Sequence, residues 1–172
     1  ANGGTGKTLL GQALEKCRET VSFDGKNLKI GSWFNHQRIN LTTEILFYDD
    51  FTKEVTFEIF YPIITTGIEV EKKRQQAFYI PYERSPKVLI SSNYLVRGSG
   101  GTSETRRKFE FELANHFNDK HTPEDEFGNR FFDDWKQEQW NEFYYFMMEC
   151  VQFYLANGLM EVEPINLNRA AL

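Results

Sequence analysis

Cysteine is scarce in this chain, with only Cys17 and Cys150 among 172 residues. They stand far apart, with no Cys-x-x-Cys pair and no histidine at ligand spacing. This excludes a disulfide framework and a cysteine-built metal site, and the apolar helical surroundings predict two buried free thiols. No apolar run approaches the roughly 18 residues that span a membrane, and no signal peptide is visible. There is no internal repeat and no low-complexity tract. Basic residues are not in excess either: 20 Lys and Arg face 25 Asp and Glu, for a net charge of −5. Any contact with nucleic acid must then come from a local basic patch rather than a global field. These absences predict a cytoplasmic, soluble domain without a membrane partner.

What is present is a folded-domain composition, 40% hydrophobic and 16% aromatic, in a length that suits one domain with a sizeable core. The chain opens on Ala1-Asn2-Gly3-Gly4-Thr5-Gly6-Lys7-Thr8, which reads as a phosphate-binding loop running into a helix. Glycines let successive backbone N–H groups curl around an anion. Lys7 then reaches the outer phosphates of ATP, and the Thr8 hydroxyl is placed to hold Mg²⁺. Ala1 stands where the pattern usually has glycine. Leu9, Leu10, Ala13, Leu14 and Cys17 follow at helical spacing, predicting an amphipathic helix of about three turns packed on a sheet. Short strand-forming pieces flank the turn Asp24-Gly25, and residues 32–41 read as a short helix and loop.

Residues 44–51, Glu-Ile-Leu-Phe-Tyr-Asp-Asp-Phe, form the second landmark. Four consecutive apolar or aromatic residues predict a strand buried on both faces. Two carboxylates at its end suit a metal-holding and water-activating pair: Asp49 at the metal, Asp50 on the attacking water. An Asp doublet alone also occurs in ordinary turns. Residues 52–64 are expected to begin as a helix with Val55, Ile59 and Phe60 inward and Pro62 near its end. Residues 67–80 alternate around Lys72-Lys73-Arg74, predicting a hairpin or loop with charge at its tip. Lys87-Val88-Leu89-Ile90 predicts a third strand ending in Ser91-Ser92-Asn93, and Asn93 is placed to bond the attacking water or the γ-phosphate. A glycine-rich loop then delivers Arg106 and Arg107, and residues 109–113 alternate as a strand. Residues 119–131 read as a polar linker. The helical pattern beyond puts Trp140, Phe143, Tyr144, Met147, Val151, Tyr154 and Leu155 on one packing stripe that stops near Asn157-Gly158.

Taken in order, these motifs resemble the superfamily 3 helicases, AAA+ P-loop ATPases found in phage, plasmid and poxvirus primase-helicases. Phe34, His36, Arg38, Ile39 and Thr43 before the acidic strand add to the likeness. The resemblance implies a three-layer α/β P-loop fold with a mostly parallel sheet of strand order 5-1-4-3-2, its first strand lying upstream of Ala1. Residues 1–118 would form the ATPase and helicase core, 119–131 a linker, and 132–172 a C-terminal helical segment and tail. It implies an ATP-dependent DNA helicase of a replication primase-helicase, acting with Mg²⁺. Asn2, Gly3, Gly4, Thr5, Gly6, Lys7 and Thr8 would bind nucleotide, and Thr8 and Asp49 the metal. Lys7, Asp49, Asp50, Asn93, Arg106 and Arg107 would be catalytic, one of the two arginines acting across a subunit boundary. Lys72 or Lys73 would contact single-stranded DNA, and the assembly would be a homo-oligomeric ring, a hexamer by resemblance, working with other replication proteins. The alternatives are a regulatory AAA+-like ATPase that binds partners without moving on DNA, and a catalytically idle packing module.

Overall fold

The computed structural model describes residues 4–28 and 36–161. Among these, one compact unit runs Lys7–Phe109, and a second takes in Gly4, Thr5, Gly6 and the chain from Glu110 on. The first unit is mixed α/β. Helix α1 (Lys7–Glu15) is followed by strands β1 (Thr20–Asp24) and β2 (Ile45–Asp49), helix α2 (Tyr61–Thr65), strands β3 (Gly67–Val70), β4 (Phe78–Pro81) and β5 (Lys87–Ile90), and the short helix α3 (Thr102–Thr105). Strands β1, β2 and β5 form a three-stranded parallel sheet in the order β1-β2-β5, while β3 and β4 pair as a separate antiparallel hairpin.

Central position explains the composition of β2. A parallel strand covered on both faces has no solvent side, so its residues are apolar without alternation. Leu46, Phe47 and Tyr48 are all buried, each such side chain contributing about 1.5–3 kcal/mol. Successive side chains still point to opposite faces. Phe47 meets α1 at Gly11, where a Cβ would lie 2.1 Å from the ring, so the helix approaches the sheet this closely only because position 11 lacks a side chain. Leu46 and Tyr48 face the opposite way, into a core shared with Phe51, Phe60, Ile63, Ile68, Val70 and Ile80. There the Tyr48 ring stacks on Phe23 at 4.8 Å and meets Phe60 at 4.7 Å.

The structure corrects three expectations. Residues 52–64 do not begin as an α-helix: a 3₁₀ turn, Phe57–Phe60, leads into α2, and Pro62 lies in the first turn of α2 rather than near a helix end. Proline is at home there because its missing N–H would have no helical partner. Residues 109–113 belong to no strand, and Phe109 and Phe111 are exposed. Period-two alternation assigns faces to a segment but does not supply a neighbouring strand to pair with. The two cysteines are free, but Cys17 is half-buried and Cys150 exposed, so the expected buried pair is not found.

The second unit contains helix α4 (Pro123–Phe127) and helix α5 (Gln137–Asn157). The segment read as a linker is more ordered than that. Asn118 and His121 form a bridge, and α4 begins on a capping box in which Thr122 and Asp125 satisfy each other's backbone N–H. Phe131, Phe132, Trp135, Trp140 and Phe143 pack ring against ring, with Phe132 and Trp135 at 4.7 Å. α5 stops at Gly158, as Asn157-Gly158 predicted. Its packing stripe is shorter than expected. Trp140, Phe143 and Met147 are half-buried, whereas Tyr144, Val151, Tyr154 and Leu155 are exposed. Among the described residues no helix is long and apolar enough to cross a membrane.

Candidate functional site

The register of the parallel sheet brings the predicted residues together. Asp24 pairs with Asp49, and Tyr48 with Ile90, so the residues just past β1, β2 and β5 emerge at the same edge of the sheet. In open parallel sheets this carboxyl-terminal edge is where ligands bind. Asp49 ends β2 there. Its carboxylate accepts hydrogen bonds from the Thr8 hydroxyl, at 3.0 and 3.2 Å to its two oxygens, and a short one from the Ser91 hydroxyl. Thr8 is the second residue of α1, so the helix that follows the glycine loop is tied to the strand carrying the acids.

Asp50, the next residue, has a left-handed backbone, with φ of 57°. Its N–H donates to Ser91 Oγ at 3.0 Å. Its Oδ1 accepts from Asn93 Nδ2 at 2.9 Å, and its Oδ2 pairs with the Lys26 ammonium. That pairing holds the Lys26 pKa above its ordinary value, the hydrogen bond to Asp50 being the main cause. The other end of the Asn93 amide is unsatisfied, for Oδ1 is buried and accepts no hydrogen bond. Such an acceptor beside a carboxylate suits a water or a ligand donor.

Lys26 and Ser91 were not anticipated from the sequence, and both arrive through the register. Lys26 follows β1 in the turn Gly25–Asn27, which Asp24 caps by accepting the Lys26 N–H at 2.9 Å. Hydrogen bonds from the Asn27 side chain and the Lys26 N–H push the Asp24 pKa down. Gly25 permits the approach, since a Cβ there would sit 2.7 Å from Asp49 O and from Phe51 Cα. The signal that points to Lys26 is its place one residue beyond an Asp-Gly turn at the end of a strand adjacent to β2. Ser91 was visible as part of Ser91-Ser92-Asn93, but its two hydrogen bonds, one donated to the Asp49 carboxylate and one accepted from the Asp50 N–H, needed the strand order.

The remaining predicted residues fall elsewhere. Gly4 and Gly6 have φ of 84° and 92°, backbone that glycine adopts at no steric cost. Asn2 and Gly3 lie outside the described residues, as do Phe34 and Asn35. Lys7 is half-buried at the first position of α1. Arg106 is exposed just after α3, whereas Arg107 donates to Ser103 O and Oγ, both at 2.6 Å, and lies over the Tyr61 ring at 4.9 Å. The predicted hairpin is present as β3 and β4, with Gly67 opposite Pro81 and Val70 opposite Phe78. At its tip Lys72 is half-buried, its Nζ 5.5 Å from the centre of the Phe78 ring, and Lys73 is exposed.

The chain matches no known protein-family model, no curated protein and no solved structure. The site's chemistry therefore rests on its own geometry. Thr8 and Asp49 offer hard oxygen donors within 3.0 Å of each other, a set that fits a magnesium ion retaining most of its waters. Asp50 is an ionisable group fixed by two side chains and one backbone bond, as a water-orienting base requires.

Proposed function

We propose that this chain is the ATP-hydrolysing part of a DNA helicase of the superfamily 3 kind, a P-loop enzyme of a replication primase-helicase. The observation that carries the reading is the convergence of Thr8, Asp49, Asp50 and Asn93 at one edge of a parallel sheet. Four residues from three separate stretches of sequence meet at one place, and their side chains are of the kinds that nucleotide hydrolysis uses. The sheet order supports it too. Strands β1, β2 and β5 correspond to strands 2, 3 and 4 of the order 5-1-4-3-2, and that order puts strand 1 on the side of β5 turned away from β2.

In this reading Lys7, at the start of α1, reaches the outer phosphates of the nucleotide. Thr8 and Asp49 hold Mg²⁺, which when bound neutralises charge on the phosphate oxygens. Asp50 orients the attacking water and accepts its proton, while Asn93 fixes Asp50 and offers its spare amide oxygen to that water. Arg106, exposed, is the better placed of the two arginines to serve a neighbouring subunit, because Arg107 is engaged with Ser103 and Tyr61. The basic hairpin tip is the DNA contact. The exposed aromatic and aliphatic side chains of α5, Tyr145, Phe146 and Leu155 among them, are of the kind that mark interaction surfaces, which favours a multimer.

The test is Mg²⁺-dependent ATP hydrolysis, with and without single-stranded DNA, by the chain and by a form extended upstream by about ten residues, enough for one strand. Hydrolysis that DNA accelerates and that Lys7→Ala abolishes is the expected result. Hydrolysis indifferent to DNA would instead favour a regulatory ATPase, and no hydrolysis in either form would defeat the enzymatic reading.

A further inference from the structure

The second unit holds a side-chain cluster made of residues other than those proposed for nucleotide chemistry. His116 and His121 aim their Nε2 atoms at a single carboxylate oxygen, Glu126 Oε2, at 2.5 and 2.9 Å. The three donor atoms all lie within 4.8 Å of one another. The imidazole planes cross at 81°, with centroids 5.3 Å apart, so the nitrogens converge from different directions.

We propose that His116, His121 and Glu126 bind one divalent transition-metal ion of the zinc type, with water completing the coordination. Bonds of roughly 2.0–2.2 Å in tetrahedral geometry put neighbouring ligand atoms about 3.4 Å apart. The two nitrogen-to-oxygen contacts need open by less than about 1 Å to admit the ion at that spacing. All three side chains are partly exposed, so the opening displaces solvent rather than core, and the fourth position is accessible to water. Two imidazoles and one carboxylate are a borderline donor set that suits zinc, cobalt or nickel. Calcium and magnesium prefer oxygen throughout.

The local fold holds the donors in place before any ion arrives. His121 exchanges backbone hydrogen bonds with Asn118 at 3.0 and 3.3 Å, and the Asn118 side chain accepts the Lys120 N–H at 2.9 Å. This closes a tight loop between the two histidines. Glu126 stands on α4, whose start is fixed by the Thr122–Asp125 capping box. The Phe117 ring lies against both imidazoles, at 4.6 Å from His116 and 5.9 Å from His121, and limits their rotation. An ion here ties the loop to the helix.

Titration calorimetry of the whole chain with zinc chloride, without nucleotide, tests the site. We expect one equivalent to bind, with affinity reduced at least tenfold in His121→Ala and in Glu126→Gln. Glu124→Gln, a neighbour on the same helix, should bind as the wild type does. Glu126→Gln keeps the side chain's shape and can still accept both hydrogen bonds, so circular dichroism matching the wild type separates a lost ligand from a lost fold. Cobalt substituted for zinc should give the visible absorption of a low-coordinate site, and Glu126→Gln should lose it. Absence of zinc binding in the wild type, or binding left unchanged by both substitutions, overturns the proposal.

Discussion

Asp50 sits in a backbone conformation that costs an ordinary L-residue about 1–2 kcal/mol. Its N–H bond to Ser91 and its carboxylate bonds to Asn93 and Lys26 hold it there, so the strain is maintained by the groups that make the site. Asp50→Gly and Asp50→Ala both remove the carboxylate, and both are expected to abolish hydrolysis. They differ in what the backbone tolerates: the glycine variant should be more stable than the alanine variant by about 1–2 kcal/mol in chemical denaturation. Equal stabilities would show that the left-handed residue carries no strain. His36 gives a second test at this scale. Its Nε2 lies 3.5 Å from the Tyr48 hydroxyl, and burial pushes its pKa below the ordinary 6.5. The unfolded chain takes up a proton near 6.5, while the folded chain resists it until the pH reaches the lower folded value. Stability tied to His36 is therefore complete above pH 6.5 and falls as the pH drops toward the folded pKa. The urea midpoint of the wild type should decline between pH 7.5 and 5.5, and His36→Phe should flatten that decline. A variant with the same slope would remove His36 as its source.

At the scale of elements, what could be read from the sequence and what could not divide along one line. β2 was legible because a run of four apolar residues ending in two acids has few other uses, and the stop of α5 because Asn157-Gly158 is a local signal. The Thr8, Asp49, Asp50 and Asn93 cluster was anticipated as a set of roles. Lys26 and the double role of Ser91 were not, because both depend on which strands lie side by side, and β1-β2-β5 neighbours are 20 or more residues apart in sequence. Residues 109–113 failed for the same reason, since their alternation was clear but pairing is not a local property. Pro62 was assigned to the wrong end of its helix because proline near an apolar run fits either a first turn or a stop. The close approach of the chain after β1 to the chain after β2 gives a prediction here. Gly25→Ala places a methyl group against the Asp49 carbonyl and the Phe51 backbone, which cannot swing aside as a side-chain tip would. A loss of about 1–3 kcal/mol is expected, the usual cost of overpacking, and Lys26 should be drawn away from Asp50. Unchanged stability with unchanged hydrolysis would mean that the turn after β1 plays no part in positioning the site.

For the molecule as a whole, the decisive fact is the sign of its charge. A chain of net charge −5 repels a polyanion at long range, so under the proposed function a DNA contact would depend on what the hairpin between β3 and β4 presents locally. The two lysines at its tip are not equivalent. Lys72 rests over the Phe78 ring, while Lys73 is exposed. In that reading Lys73 is the residue whose ammonium would meet a phosphate at least cost, and Lys72 would contribute partly by bracing the hairpin, an interaction of about 0.5–1 kcal/mol. Each phosphate neutralised on a single strand steepens the fall of log affinity with log salt by roughly 0.7. Lys73→Ala should lessen that slope by about this amount for each subunit in contact and cut the stimulation of hydrolysis by DNA. Lys72→Ala should change the slope less and lower the hairpin's stability instead. Anisotropy of a labelled single-stranded oligonucleotide, titrated at several salt concentrations, reads both effects. A slope that neither substitution alters would place the DNA contact away from the hairpin, and with it would go the main reason for reading this acidic protein as one that moves on DNA.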